Sequence, residues 1–167
     1  MYHAVTQVKA HAMHAFRGMA EHQLHSEPRG ERSAHALRAE AQDLFNQLAR
    51  ALTRGDGARV AALWELPAIV IADEGVIALA SASQIADYFG GAKDQYNTRG
   101  IVDTRADIRD LERIGERLVI ASVRWPYLDA AGKTVGAEVS DYTLRRDDTG
   151  ALRIRGVLMH GVEPGTH

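Results

Sequence analysis

No cysteine occurs among the 167 residues, which excludes disulfides, thiolate metal sites and a cysteine nucleophile and leaves the fold to packing alone. Neither sign of charge dominates: 20 Lys and Arg against 22 Asp and Glu leave a formal charge of −2. A uniformly cationic surface is therefore missing, and nucleic acid is not an expected partner. No apolar run approaches the ~20 residues that span a bilayer, and the first thirty residues lack the compact apolar stretch of a secretory signal. A cytoplasmic chain without a membrane partner is the expectation. Three catalytic signatures are also absent. Gly90-Gly91 is not a phosphate loop, and neither a Gly-x-Ser-x-Gly elbow nor a His-Glu-x-x-His helix is present, which argues against nucleotide, serine-hydrolase and metalloprotease chemistry. Neither a metal nor a cofactor is expected.

The length suits one domain, since two halves would each be small for independent stability. The expected organisation is a His-rich extension and linker over residues 1–32, a main domain over 33–162 and a tail over 163–167. Ser26-Glu27-Pro28-Arg29-Gly30-Glu31-Arg32 reads as the linker. From Ser33 as N-cap, apolar residues at Leu37, Ala41, Leu44, Phe45, Leu48 and Leu52 make one helical stripe. It ends near Gly55, and Asp56 caps a short helix carrying Val60, Leu63 and Trp64 that Pro67 stops. A hairpin is predicted over Ala68 to Leu79 about Asp73-Glu74-Gly75. Ser81 and Gln84 form a capping box for a third helix whose buried face carries Ile85, Tyr88, Phe89 and Ala92 and which Gly90-Gly91 weakens or ends. Beyond Gly100 the period becomes two: Val102, Thr104, Ala106 and Ile108 face inward and Asp103, Arg105, Asp107 and Arg109 outward. Strands Leu118 to Leu128, Thr134 to Arg146 and Leu152 to His160 complete an antiparallel meander, because the intervening loops are too short for parallel crossovers.

The fold class is thus α+β, a curved antiparallel sheet wrapped around a long N-terminal helix and two shorter ones. This order, with Ala58-Arg59-Val60-Ala61-Ala62-Leu63-Trp64 before the hairpin, Tyr127-Leu128-Asp129-Ala130-Ala131-Gly132 at a strand end, and Tyr142-Thr143-Leu144-Arg145-Arg146 with Gly150-Ala151-Leu152-Arg153-Ile154 across the last hairpin, resembles the nuclear transport factor 2-like superfamily. That superfamily is also called cystatin-like and includes SnoaL-like proteins. The resemblance covers roughly Ser33 to His160, and Leu152 stands where a Trp often follows the turn glycine. It implies a cone-shaped roll, a ligand pocket between helices and concave sheet face, and pairing into homodimers through the convex face. It does not choose among the isomerases, dehydratases, cyclases, epoxide hydrolases and non-catalytic binders that share the fold.

The residues suggest candidates. Trp64, Tyr88, Trp125, Tyr127 and Tyr142 are the expected wall and hydrogen-bonding groups of a pocket for a small apolar or amphipathic molecule. Tyr88 reads more simply as a core residue with a bonded hydroxyl, and Tyr96 as pocket rim or surface. Strand phase puts Ser140, Tyr142 and Leu144 on the inner face and Asp141 on the outer one. Asp141 and His160 are the candidates for catalysis, each with a plain solvent-exposed reading beside it; so is Asp103, on a charged strand face. A small-molecule binder is the leading reading. The alternatives are a cofactor-independent isomerase, dehydratase or cyclase using a buried Asp or His as proton-transfer base, and a dimeric interaction module with a filled pocket. His3, His11, His14, His22 and His25 fall within about 100° on a continuous helix. His11/His14 and His22/His25 have metal-compatible spacing, but Gly18 interrupts the helix and no carboxylate completes either pair. A docked amphipathic helix, an unstructured extension and a true start at Met13 or Met19 all remain open there.

Overall fold

A computed structural model describes residues 27–163. Two compact units divide the chain between Leu37 and Arg38, and the sheet, the pocket and the remaining helices belong to the second. The histidine-bearing segment, and with it Met13 and Met19, lies outside the described residues. No described helix is long and apolar enough to cross a membrane.

Helix α1 spans Glu27–Arg54. It therefore runs through the segment expected to be a linker, and Ser33 is an interior residue, not the N-cap. Pro28 falls in the first turn, where a missing N–H removes no helical bond, and a lone Gly30 costs only about 1 kcal/mol relative to Ala. From Ala41 onward the expected stripe is buried: Ala41, Leu44, Phe45, Leu48 and Leu52 are all at or below 9% exposure. Helix α1 is stitched to its surroundings by backbone acceptors and one ion pair. Arg38 donates to the Ile108 carbonyl and Gln42 to that of Ala106 at 2.8 and 2.9 Å, while Arg146 grips the Glu40 carboxylate with both guanidinium nitrogens at 2.7 and 2.8 Å.

Gly55 takes φ +69°, and Asp56 caps α2 (Gly57–Ala62) by accepting from the Arg59 amide. Trp64 is not on this helix, as the spacing suggested, but opens strand β1 (Trp64–Ala72). The carbonyl of Leu63 already accepts from Ile154 N at 2.9 Å, so the chain has joined the sheet one residue earlier. Strand β2 (Gly75–Leu79) returns antiparallel to β1. Ser81 then caps α3 (Ala82–Gly90) by accepting from Gln84 N, whose side chain accepts from Ala80 N. The two glycines divide the predicted third helix, and α4 (Ala92–Thr98) follows. Gly57 sets how closely α2 and α3 approach, since a Cβ there would lie 2.7 Å from the Ala86 carbonyl oxygen.

Strand β3 (Asp103–Thr104) and strand β4 (Asp107–Arg113) replace the single strand expected after Gly100. Both pair with β5 (Leu118–Leu128), at its two ends. Thr104, Ala106 and Ile108 are buried as the alternation predicts, but Val102 is exposed and Ile101 takes the inner place. The cause is the turn after α4: Ile101 N bonds back to the Tyr96 carbonyl and Val102 N to that of Leu128, which resets the phase. Strands β5, β6 (Thr134–Arg146) and β7 (Leu152–Val162) form the expected meander. The sheet order is β2-β1-β7-β6-β5-β3, with one parallel pair, β1 with β7.

Both long hairpins use the same chemistry. Asp129 Oδ1 accepts from the Ala131 and Lys133 amides; Asp147 Oδ1 accepts from the Thr149 and Ala151 amides. Gly132 and Gly150 follow at φ +76° and +86°. Curvature comes from bulges. In the β6–β7 ladder Arg155 and His160 each lack an opposite partner, and such extra residues bend a strand and re-aim its side chains.

Candidate functional site

The concave face is filled at one end and open at the other. Phe45 of α1 packs edge-on against Trp125, with ring centroids 6.0 Å apart, and at 4.9 Å against Tyr142. Beyond Leu48 and Leu52 the helix no longer covers the sheet, and a cavity of about 380 Å³ opens between these leucines, α3, α4 and the inner residues of β5 to β7. Both tryptophans of the chain and four of its five tyrosines line it: Trp64, Tyr88, Tyr96, Trp125, Tyr127 and Tyr142, joined by Phe89. The five residues expected as pocket walls, Trp64, Tyr88, Trp125, Tyr127 and Tyr142, are thus brought to one space. Tyr88 differs from its expected core setting. It is 39% exposed and meets Phe89 edge-on at 4.8 Å, because the cavity beneath it is not filled by side chains.

Helix α4 brings Tyr96 to 5.7 Å from the Tyr127 ring, and places the Arg99 guanidinium 5.0 Å over the same ring. Gly136 is the cross-strand neighbour of Tyr127, leaving the ring room to lie across the strand. The polar centre of the cavity is Glu138, two residues before Ser140 and therefore on the same inner face. Its carboxylate accepts from Tyr127 Oη at 2.5 Å and forms no ion pair among the described residues. The period-two alternation of β6 predicts this orientation; stopping the inner set at Ser140 missed it.

Burial raises the pKa of Tyr142, Tyr127 and Tyr96 above the ordinary phenol range. The nearby Glu138 charge adds to this in all three, through a direct hydrogen bond in Tyr127, while Arg99 opposes it for Tyr96 and Tyr127. All three therefore remain O–H donors. Trp125 Nε1 and Ser140 lie near enough to Tyr142 to favour its anion, yet the indole N–H has no well-aligned acceptor in the protein.

Asp141 and His160 do meet, but on the other face of the sheet. His160 is the extra residue of the bulge preceding Gly161, at φ +86°, and its Nε2 lies 2.8 Å from Asp141 Oδ2. A carboxylate can only accept, so Nε2 carries the proton. The two side chains are 47% and 34% exposed, and neither lines the cavity. The proton-transfer base expected to be a buried Asp or His is therefore not supplied by this pair. Asp103 is an exposed β3 residue whose carboxylate accepts from the Thr104 amide.

Burial works against the charge of Asp141, but hydrogen bonds from His160 and Ser122 outweigh it and hold the carboxyl below its usual range. A depressed carboxyl contributes stability above its unfolded-state pKa and loses it as pH falls through the folded value. In a carbon-detected NMR titration, His160→Ala is expected to move the Asp141 midpoint upward, and in unfolding experiments to lower stability at neutral pH while shrinking the share of acid destabilisation that Asp141 supplies. An unmoved midpoint would mean that the bond is not formed in solution.

A model of the family described as NTF2-like protein (DUF6841) matches residues 39–162. Among solved structures, the fold is similar to a domain of unknown function with a cystatin-like fold from Nostoc punctiforme, at 21% identity and TM-score 0.59 over 73% of this chain and 75% of that one. A function-unknown protein from Mycobacterium tuberculosis matches at 19% identity and TM-score 0.57 over 84% and 78%. A ketosteroid isomerase-like protein from Erwinia carotovora atroseptica matches at 14% identity and TM-score 0.55 over 75% and 96%. At these identities the likeness extends to the fold. No match was found among curated proteins.

Proposed function

Because the chain belongs to the NTF2-like (DUF6841) family over residues 39–162, we propose that its main domain binds a small, largely apolar molecule in the cavity between helices and sheet. The observation that carries this is the gathering of both tryptophans and four tyrosines around about 380 Å³ of space, within the size range of small-molecule sites. Both tryptophans line the cavity, so a ligand reports itself through intrinsic fluorescence. Titration with terpenoid, steroid-like and polyketide compounds is expected to quench or shift the emission saturably for at least one class. Trp125→Ala is expected to weaken that ligand roughly tenfold or more, as loss of a large aromatic wall does. Emission indifferent to every class would contradict the reading.

A second reading has one specific observation in its favour. Glu138 is a half-buried carboxylate facing a cavity that also presents Tyr96 and Tyr142 as neutral O–H donors, the pairing that abstraction of a proton from carbon beside a carbonyl requires. In this reading Glu138 is the base and a tyrosine hydroxyl stabilises the enolate oxygen. The measurement is deuterium uptake from solvent into cyclic enolisable ketones, followed by NMR. Wild-type protein is expected to accelerate uptake, and Glu138→Gln to lower the rate about 10²- to 10⁴-fold. Equal rates in the two proteins would eliminate Glu138 as a base.

The convex face supports a homodimer. Ile69, Ile71, Ile120 and Leu158 stand there 37–44% exposed around a shallow depression floored by Gly156, more contiguous apolar surface than isolated exposed residues require. Sedimentation velocity is expected to give a dimer that Leu158→Asp converts to monomer while ligand quenching persists. A monomeric wild type would refute it.

A further inference from the structure

Resting on the reading of the cavity as a ligand site, we infer that its ligand is an organic cation: a protonated amine or quaternary ammonium on an apolar skeleton. The starting point is a carboxylate in the cavity that no cation among the described residues contacts, although Arg99 lines the same space. Glu138 is half-buried, receives one hydrogen bond, from Tyr127, and has no cationic partner within ion-pair distance among the described residues. A carboxylate offers about four acceptor positions, and Tyr127 fills one of them. A bound cation supplies what the protein withholds.

The walls reinforce the choice. Aromatic faces carry negative quadrupole potential and attract cations placed within about 6 Å of a ring centroid. One such contact is already present, the Arg99 guanidinium at 5.0 Å over Tyr127, so the local field tolerates a positive group against these rings. Arg99 itself is an exposed residue and forms no ion pair with Glu138; the carboxylate is left to the ligand. A carboxylate or phosphate ligand would meet Arg99 but would also be repelled by Glu138. A neutral ligand would bury Glu138 further without compensating it. The tyrosines do not change the balance, since burial and the Glu138 charge keep their phenols protonated.

The test uses three ligands on one skeleton, 4-phenylbutylamine, 4-phenylbutan-1-ol and 4-phenylbutyrate, measured by isothermal titration calorimetry on the full chain at neutral pH. The amine is expected to bind about tenfold tighter than the alcohol, the scale of one desolvated cation contact, and the carboxylate weakest. Glu138→Gln is expected to remove the amine's preference over the alcohol, with circular dichroism and a thermal melt establishing that the variant is folded. Glu138→Asp is expected to keep part of the preference. Equal binding of amine and alcohol to the wild type, a preference that survives in Glu138→Gln, or tightest binding of the carboxylate would each overturn the inference while leaving a ligand cavity in place. Binding of none of the three would overturn the cavity reading and this inference together.

Discussion

The structure depends on one packing arrangement, the seating of Phe45 against Trp125 and Tyr142. Phe45 is fully buried and holds α1 in the concave sheet face through two aromatic contacts, each worth about 0.5–1.5 kcal/mol beyond the area they bury. Trp125 and Tyr142 consequently have two sides with different duties. One side completes the core against the helix, and the other is left facing the open end of the curved sheet. The Glu40–Arg146 pair, on partly exposed side chains, adds at most about 1 kcal/mol; its bidentate geometry fixes the position of the helix along the strands. Core and cavity are therefore parts of one surface, divided where α1 stops covering it.

The two faces of β6 separate carboxylates that residue type alone does not tell apart. Asp141 and His160 are the acid and histidine that look most catalytic in the sequence, and the bulge at His160 does bring them within hydrogen-bonding distance. Alternation nevertheless sends Asp141 outward, where the pair braces the convex surface. Glu138 is less conspicuous in the sequence, yet the same alternation sends it inward among tyrosines. Strand phase, set by Leu144 and Ser140 needing the core side, decides between carboxylates three residues apart.

Much of this is legible in the sequence. The limits of β5 and β6, the hairpin about Gly75, the Asp56 and Ser81 caps and the inward set Ser140, Tyr142 and Leu144 all follow from local rules of periodicity, capping and turn chemistry. The failures lie where tertiary contacts override local preference. Helix α1 continues through Pro28 and Gly30, Trp64 leaves its helix for a place beside Ile154, and Ile101 displaces Val102 because the chain bonds back to Tyr96. The pairing of His160 with Asp141 needs a bulge that no residue pattern announces. The emptiness beneath Tyr88 depends on where several helices end, which a single strand or helix pattern does not contain.

The central claim is that one continuous buried sheet face is solid core at one end and wall of an open cavity at the other. Freedom from cysteine allows a direct measurement, because a single introduced thiol reports its own surroundings. Ser140 and Ala121 are 3% and 0% exposed, alike by burial, but only Ser140 borders the cavity. In separate Ser140→Cys and Ala121→Cys proteins, the rate of modification by a small cationic methanethiosulfonate is predicted to differ by roughly a hundredfold or more, as access controls thiol reactivity. Cys at 140 should react in the folded protein, and Cys at 121 only as the protein unfolds. Equal protection of both thiols would contradict the account.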